Sequence, residues 1–137
     1  MRLALAAAFV LALALFGAAP ARAQVPLIPT VAGPASSGVV AKAGYGELVS
    51  AYAVCTAACW LMIFNSPTIP AGGATTPGNA AGNLVSCIPI GAGGLGSVSY
   101  APGPFEAFTT GISIGISSVA CATFTPSATA FIHVLVR

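Results

Sequence analysis

Glycine, proline, serine and asparagine interrupt the chain so often downstream of residue 37 that helices have little room to form. No segment there shows a convincing ten-residue helical period that is free of glycine and proline. The runs between these breaks are short and rich in valine, isoleucine, phenylalanine and tyrosine, as β-strands are. The sequence therefore predicts an all-β domain.

Two segments predict strands with different burial. In residues 111–117, Ile112, Ile114 and Ile116 alternate with serine and glycine, which predicts a half-buried strand with isoleucine on its inner face. Residues 60–64 are apolar at every position, as in a central strand that is covered on both faces. A short buried helix is the alternative, because periodicity alone does not distinguish the two.

Further strands are predicted at residues 39–42, 47–54, 84–90, 97–100 and 128–136. Pro89 indicates a sheet edge or a strand end in the run over 84–90, because proline cannot donate to the hydrogen-bond ladder. The total of about seven strands, at this spacing, is typical of a single antiparallel β-sandwich. The sandwich is expected over residues 38–137.

The first 23 residues have the pattern of a cleavable signal peptide. Arg2 precedes an unbroken apolar run over residues 4–16, and Ala21-Arg22-Ala23 forms an A-x-A-like cleavage site before Gln24. An uncleaved membrane anchor is the alternative, but the apolar run is shorter than the roughly 20 residues that span a bilayer. We expect a secreted or periplasmic protein with no transmembrane segment after cleavage.

Residues 24–37 carry three prolines and no hydrophobic period, which predicts an extended N-terminal arm that packs loosely.

Beyond the signal peptide, the only charged residues are Lys42, Glu47, Glu106 and Arg137, so the formal charges cancel. Two separated cations cannot neutralise several phosphates, which excludes a nucleic-acid partner.

So few charges also give little protection against association. Either the serine, threonine and asparagine residues solvate the surface, or an assembly buries much of it. We therefore expect a protein partner or self-association.

Four cysteines are present, at positions 55, 59, 87 and 121, and an even number in an exported chain predicts two disulfides. Three pairings are possible. We expect Cys55 to pair with Cys59 across a short hairpin loop, and Cys87 with Cys121 across a longer one. A zinc site that uses Cys55, Cys59 and His133 is the alternative, although structural zinc sites usually show two close ligand pairs.

No motif predicts catalysis, a cofactor or a bound metal. Residues 91–96 match the dinucleotide pattern G-x-G-x-x-G, but the strand-like residues 97–100 follow where the motif needs a helix. His133 is the only histidine, and alternation places it on the strand face opposite Ile132 and Val134. A triad would have to combine it with Glu47 or Glu106, without a nucleophile elbow. We predict a non-enzymatic protein in which these glutamates are solvated or pair with Lys42 and Arg137.

Two loops are candidate ligand-binding segments. Residues 68–83 form a longer connection than a hairpin needs, and residues 101–105 are rich in proline. Tyr100 and Phe105, expected to be exposed beside them, could contact a glycan or another small ligand. A glycan-binding module is thus the alternative to a structural or protein-interaction module.

Several motifs from residue 46 to the C-terminus occur in an order that resembles small β-sandwich domains of phage and prophage virion proteins and related bacterial proteins of unknown function. The matching segments are residues 46–50, 60–65, 69–73, 76–77, 87–89, 108–112 and 127–132. None of them is a catalytic signature, so the resemblance implies a structural or surface-binding role. The signal peptide would make this chain an exported relative of those proteins.

Overall fold

The structure is a computed structural model that describes residues 28–32, 37–76, 83–100, 106–127 and 130–137. The predicted signal peptide, residues 24–27 and 33–36 of the predicted arm, and the predicted loop at 101–105 lie outside these ranges. Within them no helix is long and apolar enough to cross a bilayer.

Every regular element in the described residues is a β-strand, which confirms the all-β prediction. The strands are β1 (Ile28–Ala32), β2 (Gly38–Lys42), β3 (Gly46–Cys55), β4 (Cys59–Asn65), β5 (Gly73–Ala74), β6 (Leu84–Ile90), β7 (Leu95–Ser99), β8 (Glu106–Phe108), β9 (Ile112–Ser117), β10 (Thr123–Phe124) and β11 (Ala130–Val136).

The strands form two large antiparallel sheets and a two-stranded ribbon. Sheet A has the order β1-β11-β3-β7, with β8 paired to the same side of β3 as β7. Sheet B has the order β2-β9-β4-β6, and β5 pairs with β10 in the ribbon. Pro89 predicted a sheet edge or a strand end, and the structure shows the edge, because β6 ends the order of sheet B.

Sheets A and B pack face to face around one hydrophobic core, as in a β-sandwich. Alternate side chains of each strand enter this core, because successive residues of a strand point to opposite faces. Sheet A contributes Ala51 and Ala53 from β3 and Ile132, Val134 and Val136 from β11; sheet B contributes Leu61 and Ile63 from β4 and Ile112, Ile114 and Ile116 from β9.

The structure corrects two predictions, the loosely packed N-terminal arm and the number of strands. Residues 28–32 of the segment predicted as a loosely packed arm form β1, which pairs with β11 from Ile28↔Val136 to Ala32↔Ile132. Antiparallel pairing with a strand from the other end of the chain gives this extended segment its hydrogen bonds. With β1, β5, β8 and β10, the described residues contain 11 strands rather than about seven.

The two predicted disulfides are both present, but the first does not close a hairpin. Cys55 ends β3 in sheet A, and Cys59 begins β4 in sheet B, so their bond joins the two sheets. Both cysteines lie in the sandwich core. The prediction of a hairpin was wrong because a short turn can also carry the chain around the corner of a sandwich. All four sulfurs are thus occupied in disulfides rather than in the alternative zinc site.

The glycine-rich segment after β6 carries the chain from sheet B back to sheet A, beside the connection between Cys55 and Cys59. The N–H of Gly94 donates to the carbonyl of Gly91 at 2.9 Å, and the N–H of Gly93 donates to the carbonyl of Cys55 at 2.8 Å. Gly93 has a φ of 69°, which glycine adopts without strain. The predicted turn between strands is confirmed, and strand β7 rather than a helix follows it.

Candidate functional site

The outer face of sheet B is covered by two segments of the chain, residues 66–76 and 118–127, which together we call the flap. Phe124 of the flap is buried with Met62 and Phe64 of β4 in a second, smaller hydrophobic cluster. The rings of Phe64 and Phe124 meet edge to face, with centroids 5.1 Å apart. The cover explains why β4 is buried on both faces, as predicted.

The flap also corrects the prediction that β9 is half-buried. All six residues of β9 are buried, including Ser113, Gly115 and Ser117 on the face opposite the isoleucines. The Ser117 hydroxyl accepts hydrogen bonds from the N–H groups of Val119 and Thr125, at 3.3 and 3.0 Å. Small side chains on this face therefore leave room for the flap rather than facing solvent.

Further bonds hold the flap in place. Cys121 in the flap is bonded to Cys87 in β6. Thr75 donates its hydroxyl to the carbonyl of Cys121 at 2.6 Å, and its N–H donates to the carbonyl of Ala122 at 3.1 Å. The flap thus includes residues 68–76 of the loop predicted as a ligand-binding segment. Ile69 of this loop packs on the second cluster instead of facing solvent.

The outer face of sheet A has no such cover among the described residues, and it carries an exposed row of apolar side chains. Phe131 in β11 is opposite Val54 in β3, and Val54 is opposite Leu95 in β7. Their exposed fractions are 50%, 38% and 66%. We call these three residues the apolar row. Side chains that are adjacent on neighbouring strands form a continuous surface.

An aromatic pair lies beside the apolar row. Tyr52 is opposite His133 in the β3–β11 register, and their rings stack with centroids 4.9 Å apart and planes 15° apart. The Nδ1 atom of His133 is buried and has no hydrogen-bond partner among the described residues. His133 lies on the face opposite Ile132 and Val134, as alternation predicted, since both of those residues point into the core.

A pair of opposite charges follows on the same face. The Nε atom of Arg137 donates to Oε2 of Glu47 at 2.5 Å, and both side chains are about one-third exposed. Their backbones also pair, through Glu47 N–H to the Arg137 carbonyl at 2.9 Å and the reverse bond at 3.0 Å. The predicted pairing of a glutamate with Arg137 is confirmed, and the two charges cancel at this end of the face.

Tyr100 is more buried than predicted, and Phe105 lies outside the described residues. Tyr100 is half-buried and packs against the sandwich core, because its N–H donates to the Val49 carbonyl at 2.9 Å and so continues the β7 ladder. Burial, and to a smaller extent the nearby negative charge of Glu106, raises the pKa of the Tyr100 hydroxyl. Tyr100 is therefore less exposed than predicted, and its role in ligand binding stays a prediction.

The described residues contain no group of three or more histidine, cysteine or acidic side chains placed to hold a metal ion. The residues that a triad would have to use do not meet along the strand register: Glu47 is bonded to Arg137, and Glu106 lies on β8 opposite Leu48. His133 faces Tyr52 instead. The described part of the face therefore presents apolar, aromatic and small hydroxyl side chains, together with His133 and one neutralised ion pair.

Comparison with known proteins adds no relative: the chain matches no family model, no curated protein and no solved structure. The resemblance to virion-associated β-sandwich domains stays a prediction from the motifs that carry it. Glycan binding also stays a prediction, since residues 77–82 and 101–105 of its two loops lie outside the described ranges.

The sequence pattern does not mark the outer face of sheet A as a candidate site. In β11, Phe131 and Leu135 alternate with Ile132 and Val134, so both faces of the strand are apolar. Alternation alone cannot decide which face enters the core when both are hydrophobic. The stacking of His133 on Tyr52 depends on the register of two strands that are about 80 positions apart in the sequence.

Proposed function

We propose that the protein is an exported, non-enzymatic structural module that associates with protein, first of all with other copies of itself, through the outer face of sheet A. The observation that carries this proposal is the apolar row, in which Phe131, Val54 and Leu95 are side by side and exposed on three adjacent strands. Contiguous exposed apolar side chains on a soluble domain are typical of protein–protein contact sites.

The aromatic pair supports a protein partner more than a sugar. Stacked rings on neighbouring strands cover one face of each other, so the Tyr52 ring has lost one of the two surfaces on which a sugar could stack. The stacked rings of Tyr52 and His133 form a rigid surface against which the side chains of a partner protein can pack. Tyrosine is also among the residues enriched at protein interfaces.

The small number of charges supports self-association. Two positive and two negative side chains remain after removal of the predicted signal peptide, and Glu47 and Arg137 neutralise each other on this face. Two copies would therefore meet without the like-charge repulsion that separates many identical surfaces. A protein at the cell envelope is the alternative partner, because a face with no net charge would suit it as well.

Two disulfides are typical of proteins in an oxidising compartment. Together with the predicted signal peptide over residues 1–23, they support a secreted or periplasmic location. The resemblance to virion β-sandwich domains is part of the same proposal, because a role in assembly needs a contact surface and no catalytic groups.

The test is sedimentation equilibrium of the exported, oxidised protein from micromolar to millimolar concentration. We expect the average mass to rise with concentration, and Phe131→Ser to weaken association at least about tenfold, since buried aromatic anchors often dominate an interface. Tyr45→Ser is the matched control, because Tyr45 is 63% exposed and lies in the turn before β3, far along that strand from the apolar row.

The two variants must remain folded, as judged by near-ultraviolet circular dichroism, for the comparison to count. A wild-type protein that stays monomeric over the whole concentration range would contradict self-association. An unchanged dissociation constant in Phe131→Ser would contradict the outer face of sheet A as the contact surface.

A further inference from the structure

The edges of the two sheets differ in how they are protected against pairing with another chain. Natural edge strands are usually protected by proline, by charged residues, by irregularities in register or by short length. Among the described edges, β1 contains Pro29, β6 contains Pro89, and β2 contains Lys42 next to a register irregularity. The edge strand β8 has only three residues and includes Glu106.

Strand β7 has none of these protections. Its five residues, Leu95–Ser99, include no charge and no proline. It pairs with β3 in unbroken register from Ser50↔Ser99 to Val54↔Leu95. Among the described residues, no strand pairs with its other side. An exposed strand of this kind is a template for strand addition.

Two backbone hydrogen bonds determine which groups of β7 face the free side. The N–H of Tyr100 donates to the carbonyl of Val49 at 2.9 Å, and the N–H of Cys55 donates to the carbonyl of Gly94 at 3.2 Å. Hydrogen-bonded pairs alternate along an antiparallel ladder, so the even-numbered residues of β7 bond to β3. The N–H and C=O groups of Leu95, Ser97 and Ser99 therefore point away from sheet A.

We propose that β7 pairs with β7 of a second copy of this chain, antiparallel and about a two-fold axis at Ser97, so that the two copies of sheet A form one continuous sheet. This inference rests on the proposed function in that it requires self-association, and it names the strand by which the copies join. In this register, Ser97 is opposite Ser97 of the other copy, and Leu95 is opposite Ser99.

The second copy is the occupant that this edge fits best. The free backbone groups occur at positions 95, 97 and 99, which are symmetric about Ser97, so a two-fold axis lets every one of them bond, with about six hydrogen bonds in all. The side chains at the junction are small, since serine meets serine on the axis. None of the four charges outside the predicted signal peptide lies in β7, so the copies do not repel each other there.

The pairing would also extend the proposed contact surface. Leu95, Ser97 and Ser99 point outward from sheet A, because Gly96 is buried and Val98 packs against the core between them. Leu95 of each copy would then cover Ser99 of the other. The apolar rows of the two copies would lie on one face of the same sheet, one row on each side of the axis.

The deciding variant is Ser97→Pro, compared with Ser97→Ala. Proline removes the N–H at position 97, which points to the free edge and makes no bond to β3, whereas alanine keeps it. Sedimentation equilibrium of the exported, oxidised protein should show dimerisation weakened at least about tenfold in Ser97→Pro and little changed in Ser97→Ala. Near-ultraviolet circular dichroism identifies a variant that has lost its fold.

Amide hydrogen exchange of the wild-type protein tests the same pairing without any substitution. The amides of Leu95, Ser97 and Ser99 should become protected as concentration rises, because only strand pairing gives them acceptors. Protection that is independent of concentration would mean that another part of the same chain covers the edge, which would overturn the proposal. Amides that stay unprotected in an associated protein would also overturn it.

The two proposals fail in different ways. If Ser97→Pro still associates like the wild type while Phe131→Ser does not, the edge pairing is wrong and the outer-face contact stands. If Ser97→Pro separates the copies and Phe131→Ser does not, the edge pairing stands and the outer-face contact is wrong. A wild-type protein that is strictly monomeric contradicts both proposals. If β7 pairs with an added extended peptide instead of with a second copy, the two-fold dimer is wrong.

Discussion

The ring of Phe124 occupies the space that a side chain at Gly115 would need. A Cβ atom built on Gly115 lies 2.6 Å from two atoms of the Phe124 ring and 3.2 Å from the Phe64 ring. Contacts this short force side chains or backbone to move. The absence of a side chain at position 115 is thus what lets the flap close on sheet B.

We therefore expect Gly115→Ala to destabilise the protein by about 1–3 kcal/mol, the usual cost of overpacking a filled core. Gly91→Ala is the matched control, because a Cβ there meets no atom within 4 Å and Gly91 has no positive φ. The free energy of unfolding in urea, measured with both disulfides intact, checks the difference. Equal stability of the two variants would mean that Phe124 does not rest on β9.

The bond between Cys87 and Cys121 should contribute more stability than the bond between Cys55 and Cys59. The first pair is separated by 34 positions and the second by 4. Loop-closure entropy alone gives about 4 kcal/mol for the longer loop and about 2 kcal/mol for the shorter one. Urea unfolding of the Cys87→Ala/Cys121→Ala and Cys55→Ala/Cys59→Ala double variants measures both. A smaller loss for the first double variant would contradict this order.

Two buried serines on the same face of β9 should differ in their importance. Ser117 accepts from the N–H groups of Val119 and Thr125, so Ser117→Ala leaves both donors without that acceptor. Among the described residues, the Ser113 hydroxyl makes one bond, as donor to the Thr68 carbonyl at 3.0 Å, and that carbonyl also accepts from Ser66 at 2.6 Å. Because the two N–H groups that lose their acceptor are part-buried, we expect a loss of about 1–2 kcal/mol for Ser117→Ala and about 0.5–1 kcal/mol for Ser113→Ala.

Thermal unfolding of the two variants at one pH provides the measurement. Both hydroxyls are fully buried, so a difference between the variants reports the hydrogen bonds rather than exposure. A Ser113→Ala variant less stable than Ser117→Ala would contradict the role assigned to Ser117 in holding the flap.

Local sequence patterns predicted the sandwich because its main strands carry their own periodicity. Alternation in β9 placed Ile112, Ile114 and Ile116 on the inner face, and alternation in β11 placed His133 opposite Ile132 and Val134. The flap could not be predicted in this way. Its strands β5 and β10 have two residues each, too few for any period, and β5 pairs with β10 across about 50 positions of sequence.

The candidate site was not predicted for a related reason. An exposed apolar side chain such as Phe131 has the same sequence signature as a buried one, and only the packing of the second sheet decides between them. The free edge of β7 depends on the order of strands in sheet A, which is a long-range property. Conversely, Pro89 did restrict its position to a sheet edge or a strand end, because proline cannot donate to a central ladder whatever the fold.

The raised pKa of Tyr100 predicts how stability changes in alkaline solution. Burial, and then the charge of Glu106, disfavours the phenolate in the folded protein. As pH rises above the ordinary tyrosine value of about 10, the unfolded chain loses this proton before the folded protein does. The unfolded state is then favoured, so the stability contributed by Tyr100 is complete below that pH and is lost as pH rises through the raised pKa.

Tyrosinate absorbance in the ultraviolet is titrated for the wild type and for Tyr100→Phe. The difference between the two curves isolates the Tyr100 hydroxyl from those of Tyr45 and Tyr52. We expect its midpoint to lie above the ordinary tyrosine value, and Glu106→Gln to lower that midpoint only in part, because burial is the larger cause. The alkaline loss of stability should be smaller in Tyr100→Phe than in the wild type. A midpoint at or below the ordinary value would contradict the packing of Tyr100 against the core, since an exposed phenol pays no desolvation cost on ionising.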